Sequence, residues 1–168
     1  MDVAATLIHS FVSSRIDYCN SLLYGVPKCH IDKLQRVQNP AARLVVMQGK
    51  SCHVTPVFHQ LRWLTISFRI NFKILLLTFK AIHGLAPSCI NDLVKIKPLN
   101  SSYRLRSNDG ILLSHPNFNT STTLADRAFV ASAPNLWNDL PLEIRMTKSV
   151  HTFKRFSKTH LFSKAFHS

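Results

Sequence analysis

Carboxylates are scarce in this chain: 8 Asp and Glu stand against 21 Lys and Arg, a formal net charge of +13 over 168 residues. Glycine is scarce too, at 4, which argues against a Gly-rich phosphate loop or a tight-turned all-β fold. No two cysteines form a CxxC pair. Cys19, Cys29, Cys52 and Cys89 are widely scattered, a pattern of reduced, partly buried thiols rather than a disulfide framework. Cys29-His30 and Cys52-His53 fit no common zinc-module spacing, so no metal site is expected. No basic n-region precedes the first apolar run, which His9, Ser10, Ser13 and Ser14 interrupt. The most apolar stretch, around Ile74 to Leu77, lies between Arg69, Lys73 and Lys80 and is too short between charges to span a bilayer. An intracellular protein, nuclear or cytoplasmic, with no membrane partner is the expectation.

What is present is enough apolar matter for a core. Hydrophobic residues make up 46% of the chain, a length and composition suited to one compact domain or two small helical lobes. The charge is unevenly spread. No acid lies between Asp32 and Asp92 or after Glu143, whereas both stretches carry many Lys and Arg. A fold so unbalanced repels itself and attracts polyanions, since each phosphate contact releases condensed counterions. The plainer alternative is a generic basic surface, or a partner domain that supplies the missing acids.

Apolar spacing predicts helices over most of the chain. Val3, Leu7, Ile8, Phe11 and Val12 form a first stripe. Ile16, Cys19, Leu22 and Leu23 form a second, ended by Gly25 and Pro27, with the joint between them near Ser13-Ser14. A third helix runs over 31–47, where Pro40 predicts a kink. Thr55-Pro56 opens a short helix. A long one follows to His83, apolar on two sides and therefore central, stopped by Gly84 with Pro87 beyond. One more short helix is expected over 88–94. From Lys97 to Thr123 the period is lost; Ile111-Leu112-Leu113 and Arg127 to Ala131 read as short strands, possible partners of one another. Pro134 is expected to start a helical turn with Leu136, Trp137 and Leu140 inward. Ser149 opens a last helix with Val150, Phe153, Phe156, Leu161 and Ala165 on its inner side. The expected fold is mainly α, a helical bundle of about six helices with a small β-hairpin element in the C-terminal third. Its layout is a helical lobe over 1–96, a polar linker with a short strand over 97–125, and a small lobe over 126–168.

Catalysis has little to work with. Polymerase chemistry needs paired metal-binding carboxylates, and no Asp-Asp pair occurs. Asp109, Asp126 and Asp139 with His115 have no telling spacing, and turns and caps explain the first two. Ser/His/Asp or Cys/His combinations arise by chance among nine histidines, and no nucleophile elbow is present. No catalytic residue, metal or cofactor is therefore assigned. Binding remains. Lys33, Arg36 and Arg43 decorate the third helix; Arg104 and Arg106 share one side of an extended segment; Lys154, Arg155, Lys158 and Lys164 decorate the last helix. Arg127 is a further candidate for phosphate or for a local ion pair with Asp126. Arginine grips phosphate through two parallel hydrogen bonds and lysine supplies a mobile point charge. A solvated helix face is the competing explanation for both helical groups.

Four phrases carry a resemblance: RIDYCNSLLYGVP at 15–27, KLQRVQNPAARLV at 33–45, FRINFKILLLTFKAIHGLAP at 68–87 and DRAFVASAPNLWNDLPLEIR at 126–145. In order and number they resemble the region that follows the polymerase core in reverse transcriptases of jockey-like LINE-type (non-LTR) retrotransposons. The resemblance spans about Leu7 to Phe166 and departs from the family at Pro40, where an alanine-like residue is usual. It implies the thumb-and-tail part of an RNA-directed DNA polymerase from a mobile element, here a truncated copy. The nearest duty would be contact with template RNA, an RNA–DNA hybrid or target DNA. It also implies a second reading, a scaffold segment that docks on the polymerase core without binding nucleic acid by itself. The family's catalytic aspartates map to no residue here, so no activity is implied for this segment alone. Trp137, within NLWNDLP, reads as a hydrophobic anchor between lobes rather than a base stacker.

Overall fold

The structure is a computed structural model that describes residues 3–97, 111–116 and 127–166. It is mainly helical, as expected. Its elements are α1 (Val3–Ile8), a π-helical turn (His9–Ser13), α2 (Ser14–Asp17), a 3-10 turn (Asn20–Leu23), α3 (Lys28–Val45), α4 (Val54–Leu61), α5 (Ile66–Ile82), α6 (Ser88–Asn91), α7 (Phe129–Asn138), α8 (Leu142–Arg145) and α9 (Val150–Phe166). The chain forms two compact units, one of residues 1–70 with 160–168 and one of residues 71–159. This division differs from the lobes expected over 1–96 and 126–168. The end of the chain returns to the first unit, where Phe162 and Phe166 both lie against His59.

In the first unit no break occurs at Ser13-Ser14. Helical serines can bond back to the carbonyl one turn earlier: the Ser10 hydroxyl donates to the Thr6 carbonyl at 2.9 Å, and that of Ser14 to the Ser10 carbonyl. The helical path instead stops at Tyr18, which is extended, and Cys19, which is left-handed at φ 51°. That reversal turns the following residues around. Cys19 and Leu22, expected inward, are exposed, and Asn20 is buried in their place. Along α1 and the π-helical turn after it, Ile8 is buried while Val3, Leu7 and Phe11 are exposed.

Helix α3 buries Gln38, Ala41 and Ala42. It continues through Pro40, which is exposed. The hydrogen bond Pro40 cannot donate would have gone to the Arg36 carbonyl, on a side open to water. The core of this unit gathers Ile8, Ala41, Ala42, Val57, Phe58 and Trp63, with Val12, Val45, Val46 and Phe166 packed on it. Both α3 and α4 end in a Schellman arrangement. At α3, Met47 is left-handed and Gln48 N donates to the Arg43 carbonyl at 3.0 Å. At α4, Arg62 is left-handed and Trp63 N donates to the Phe58 carbonyl at 3.0 Å.

Polar side chains then fix where α5 begins. Gln38 donates to the Leu64 carbonyl at 3.0 Å, and Gln35 accepts the Ile66 N–H at 3.0 Å, a donor with no partner inside its own helix. The Arg69 guanidinium spends Nε on the same Leu64 carbonyl and Nη1 on Asp17 at 2.8 Å, and lies 5.7 Å above the Trp63 ring.

The second unit is held differently. Trp137 and Phe153 are fully buried and stacked at 5.8 Å, and Phe153 stacks on Phe79 at 4.3 Å. The Trp137 indole N–H donates to the Ile111 carbonyl at 2.8 Å. Asn138 clamps Leu113 from both ends, accepting its N–H and donating to its carbonyl, each at 3.0 Å. At the end of α5, Gly84 is left-handed and Leu85 N bonds the Lys80 carbonyl at 2.8 Å, the stop expected from Gly84 and Pro87. Of the expected β-hairpin, the described residues contain one antiparallel bridge, Ile96 to Leu113. Residues Arg127 to Ala131 are no strand: Phe129–Asn138 is helical, with Pro134 inside it rather than at its start. Ala131, Ser132, Ala133 and Pro134 are all buried, and a run buried on all sides shows no helical period in sequence.

Among the described residues, no helix is long and apolar enough to cross a membrane.

Candidate nucleic-acid interface

Helical geometry places side chains three and four residues apart on one face. In α9 the fully buried Phe153 and Ser157 and the buried Leu161 follow one another at four-residue steps. The side chains of His151, Lys154, Arg155 and Lys158 lie off that stripe and are exposed. No carboxylate follows Glu143 to neutralise them. Lys164, expected on the same surface, is seven residues beyond Ser157 and so lies in line with the buried stripe. It is exposed at the helix end and engaged in an intramolecular contact.

The group on α3 is smaller than expected. Lys33 and Arg36, one turn apart, are exposed. Arg43 is half-buried, and its Nε donates to the Cys52 carbonyl at 2.9 Å, tying the segment after α3 back onto the helix. Its first duty is structural. The exposed Val37, Leu44 and Met47 give this part of the unit a mixed apolar and cationic surface. Arg127 is half-buried and has a contact within the protein. Arg104 and Arg106 lie outside the described residues.

Two of the acids are already spent. Asp17 is paired with Arg69 and Asp32 with Lys28, the latter at 3.0 Å on an exposed helix surface. Arg145 is another arginine with internal work, donating Nε to the Leu140 carbonyl at 3.0 Å.

An open cleft in the second unit is lined by Asp92, Lys95, Ser114, His115 and Val130 among others. A nucleophile–base pair requires a hydrogen bond between its members. Asp92, Ser114 and His115 share this lining, but no hydrogen bond joins their side chains among the described residues. No group of three His, Cys, Asp or Glu among the described residues is placed to hold a metal ion.

The four phrases at 15–27, 33–45, 68–87 and 126–145 contain the joints of the fold. Asp17 and Asn20 lie in the first, Gln35 and Gln38 in the second, Arg69 in the third, and Trp137, Asn138 and Arg145 in the fourth. No family model, curated protein or solved structure compared with the chain matches it.

Sequence reasoning passed over two residues of the α9 surface. A count of Lys and Arg leaves out His151. Phe156 was assigned to the inner side because it follows Phe153 at helical spacing, but the inner stripe steps by four, not three, and leaves Phe156 half-exposed.

Proposed function

We propose that this chain is a non-catalytic nucleic-acid-binding segment of the kind that follows the polymerase core in jockey-like LINE-type reverse transcriptases. In this reading it contacts template RNA, an RNA–DNA hybrid or target DNA. The observation that carries the proposal is the exposed α9 face of His151, Lys154, Arg155 and Lys158 in a stretch without acids. Lys33 and Arg36 form a second contact zone. Cations held on rigid helices at one-turn spacing suit the regular phosphates of a strand, and counterion release drives the association. The ordered family-like phrases support the polymerase connection.

The test is a binding titration by fluorescence anisotropy on RNA, an RNA–DNA hybrid and a DNA duplex at two salt concentrations. Affinity is expected to fall by orders of magnitude between about 50 and 200 mM salt. In a Lys154→Glu/Lys158→Glu double variant the slope of log K against log salt is expected to shrink by roughly two phosphate contacts. A flat salt response from the folded protein sinks the proposal.

One observation favours the scaffold reading: Val3, Leu7, Phe11, Tyr18 and Leu22 are all exposed in the first unit. Val3, Leu7 and Phe11 follow one another at four-residue steps, and an exposed apolar patch marks an interaction site. In that reading the segment docks on a polymerase core, and the isolated chain self-associates with rising concentration while binding no nucleic acid.

A further inference from the structure

Two adjacent residues of α9 are arranged against the usual preference. Ser157 is fully buried and its hydroxyl has no hydrogen-bond partner, while Phe156 beside it stands 38% exposed. Burying an unpaired hydroxyl is unfavourable, and so is leaving a phenyl ring in water. Local departures from the stable choice collect at functional sites.

The surroundings of Phe156 give the departure a use. The Arg155 guanidinium lies 5.1 Å from its ring centroid, within the range of a cation–π contact. At about 100° per residue Phe156 projects nearly opposite Lys154 and Lys158 across the helix, and Arg155, between them, is the cation beside the ring. Next to it Thr159 is exposed, with its hydroxyl already turned back to the Arg155 carbonyl at 3.0 Å, so it does not compete as a polar reader of bases. A cationic track beside a flat π-surface is the combination that holds single strands: phosphates follow the cations, and unpaired bases stack on the ring or the guanidinium. A duplex buries its base faces within its own stack and cannot use the ring.

Resting on the nucleic-acid reading above, we propose that residues 151–159 of α9 form a single-strand site, with the Arg155–Phe156 pair stacking a base and Lys154 and Lys158 holding phosphates farther along a strand that passes round the helix. The ligand class is single-stranded RNA or DNA without sequence preference, because every base has a π-face.

The test uses the full chain with a 20-nucleotide oligo(U), the matching oligo(dT) and a 20-base-pair DNA duplex. Phe156→Ala and Phe156→Leu are compared with the parent protein, circular dichroism confirming that each is folded. Phe156→Leu keeps an apolar side chain and removes only the π-face. Both variants are expected to weaken oligo(U) and oligo(dT) binding by roughly tenfold, the size of one base–aromatic stack. Duplex affinity and the salt slope should be unchanged. In Phe156→Trp, single-strand affinity should return and a new indole emission should be quenched by bound oligo(U); the native Trp63 and Trp137 are both buried. If Phe156→Ala and Phe156→Leu bind single strands as the parent does, or lose single strands and duplex equally, the site is overturned while salt-dependent binding still stands. Absence of binding to all three probes overturns the site, and absence of binding to an RNA–DNA hybrid as well overturns the nucleic-acid reading on which it rests.

Discussion

The two compact units solve the same problem, holding helices in register, with different chemistry. In the first, the start of α5 is fixed by polar reach: Gln35, Gln38 and Arg69 satisfy two backbone groups and one carboxylate. In the second, the joint is an aromatic stack of Phe79, Phe153 and Trp137, with hydrogen bonds added where the indole and Asn138 meet residues 111–113. Among the described residues the first unit also leaves more large apolar side chains in water, Val3, Phe11, Leu22 and Met47 among them. Polar joints are directional and specify geometry, whereas aromatic burial supplies more stabilisation per residue. Both units bury an apolar core, but polar side chains set the start of α5 in the first, whereas in the second the hydrogen bonds of Trp137 and Asn138 are added to an aromatic stack.

The largest expected effect comes from breaking the aromatic joint. Phe153→Ala removes a ring with no exposure that touches both other members of the stack. It should cost about 3–5 kcal/mol, read from the midpoint of urea unfolding. A loss under about 1 kcal/mol would mean that the stack collapses around the gap and is not the main joint.

Next is the polar joint. The Arg69 side chain is 15% exposed and its partner Asp17 45%. Arg69→Ala should cost about 2 kcal/mol, because hydrogen bonds to charged groups are lost and the Leu64 carbonyl loses one donor. Half-exposure of Asp17 lets water recover part of the loss. A double-mutant cycle with Asp17→Asn isolates the pair, and additive single effects would show that Arg69 acts through Trp63 and Leu64 instead.

The smallest effect sharpens the comparison through one shared motif. The same helix stop uses Gly84 in the second unit but Met47 in the first, both left-handed. A side chain in that conformation is strained by about 1 kcal/mol, so Met47→Gly should raise stability by up to that amount and increase Tm. Nearby Met47 is 82% exposed, so little packing is lost. A lower Tm would show that the exposed methionine has contacts worth more than the strain.

Strong periods and strong punctuation were legible. The long amphipathic runs gave α3, α5 and α9, and Gly84 with Pro87 marked a true helix end. The burial of Trp137 was also readable, since a tryptophan flanked by leucines has few other fates. Its partners Ile111 and Phe153 lie in its own unit, however, and it does not bridge the lobes expected from sequence. The break at Cys19 was not, because nothing in its chemistry demands a positive φ. The helix over Phe129–Asn138 was hidden by burial on all sides and by Pro134, which imitates a helix start. In the candidate interface, the cationic residues were visible as residue types but not as a surface. Arg43, Arg127 and Arg145 look like Lys33 and Arg36 in sequence and differ only in what lies within reach.

Sequence by itself determined the helical class, the surplus of positive charge and the lack of an adjacent Asp-Asp pair, since each depends on residue type and near-neighbour spacing alone. Tertiary structure decided which arginines are spent inside, which side of α9 faces water, and that Asp17 meets Arg69 across 52 residues of chain. The physical reason is that a side chain's work depends on its partners and its access to water, and folding brings those partners from distant parts of the chain.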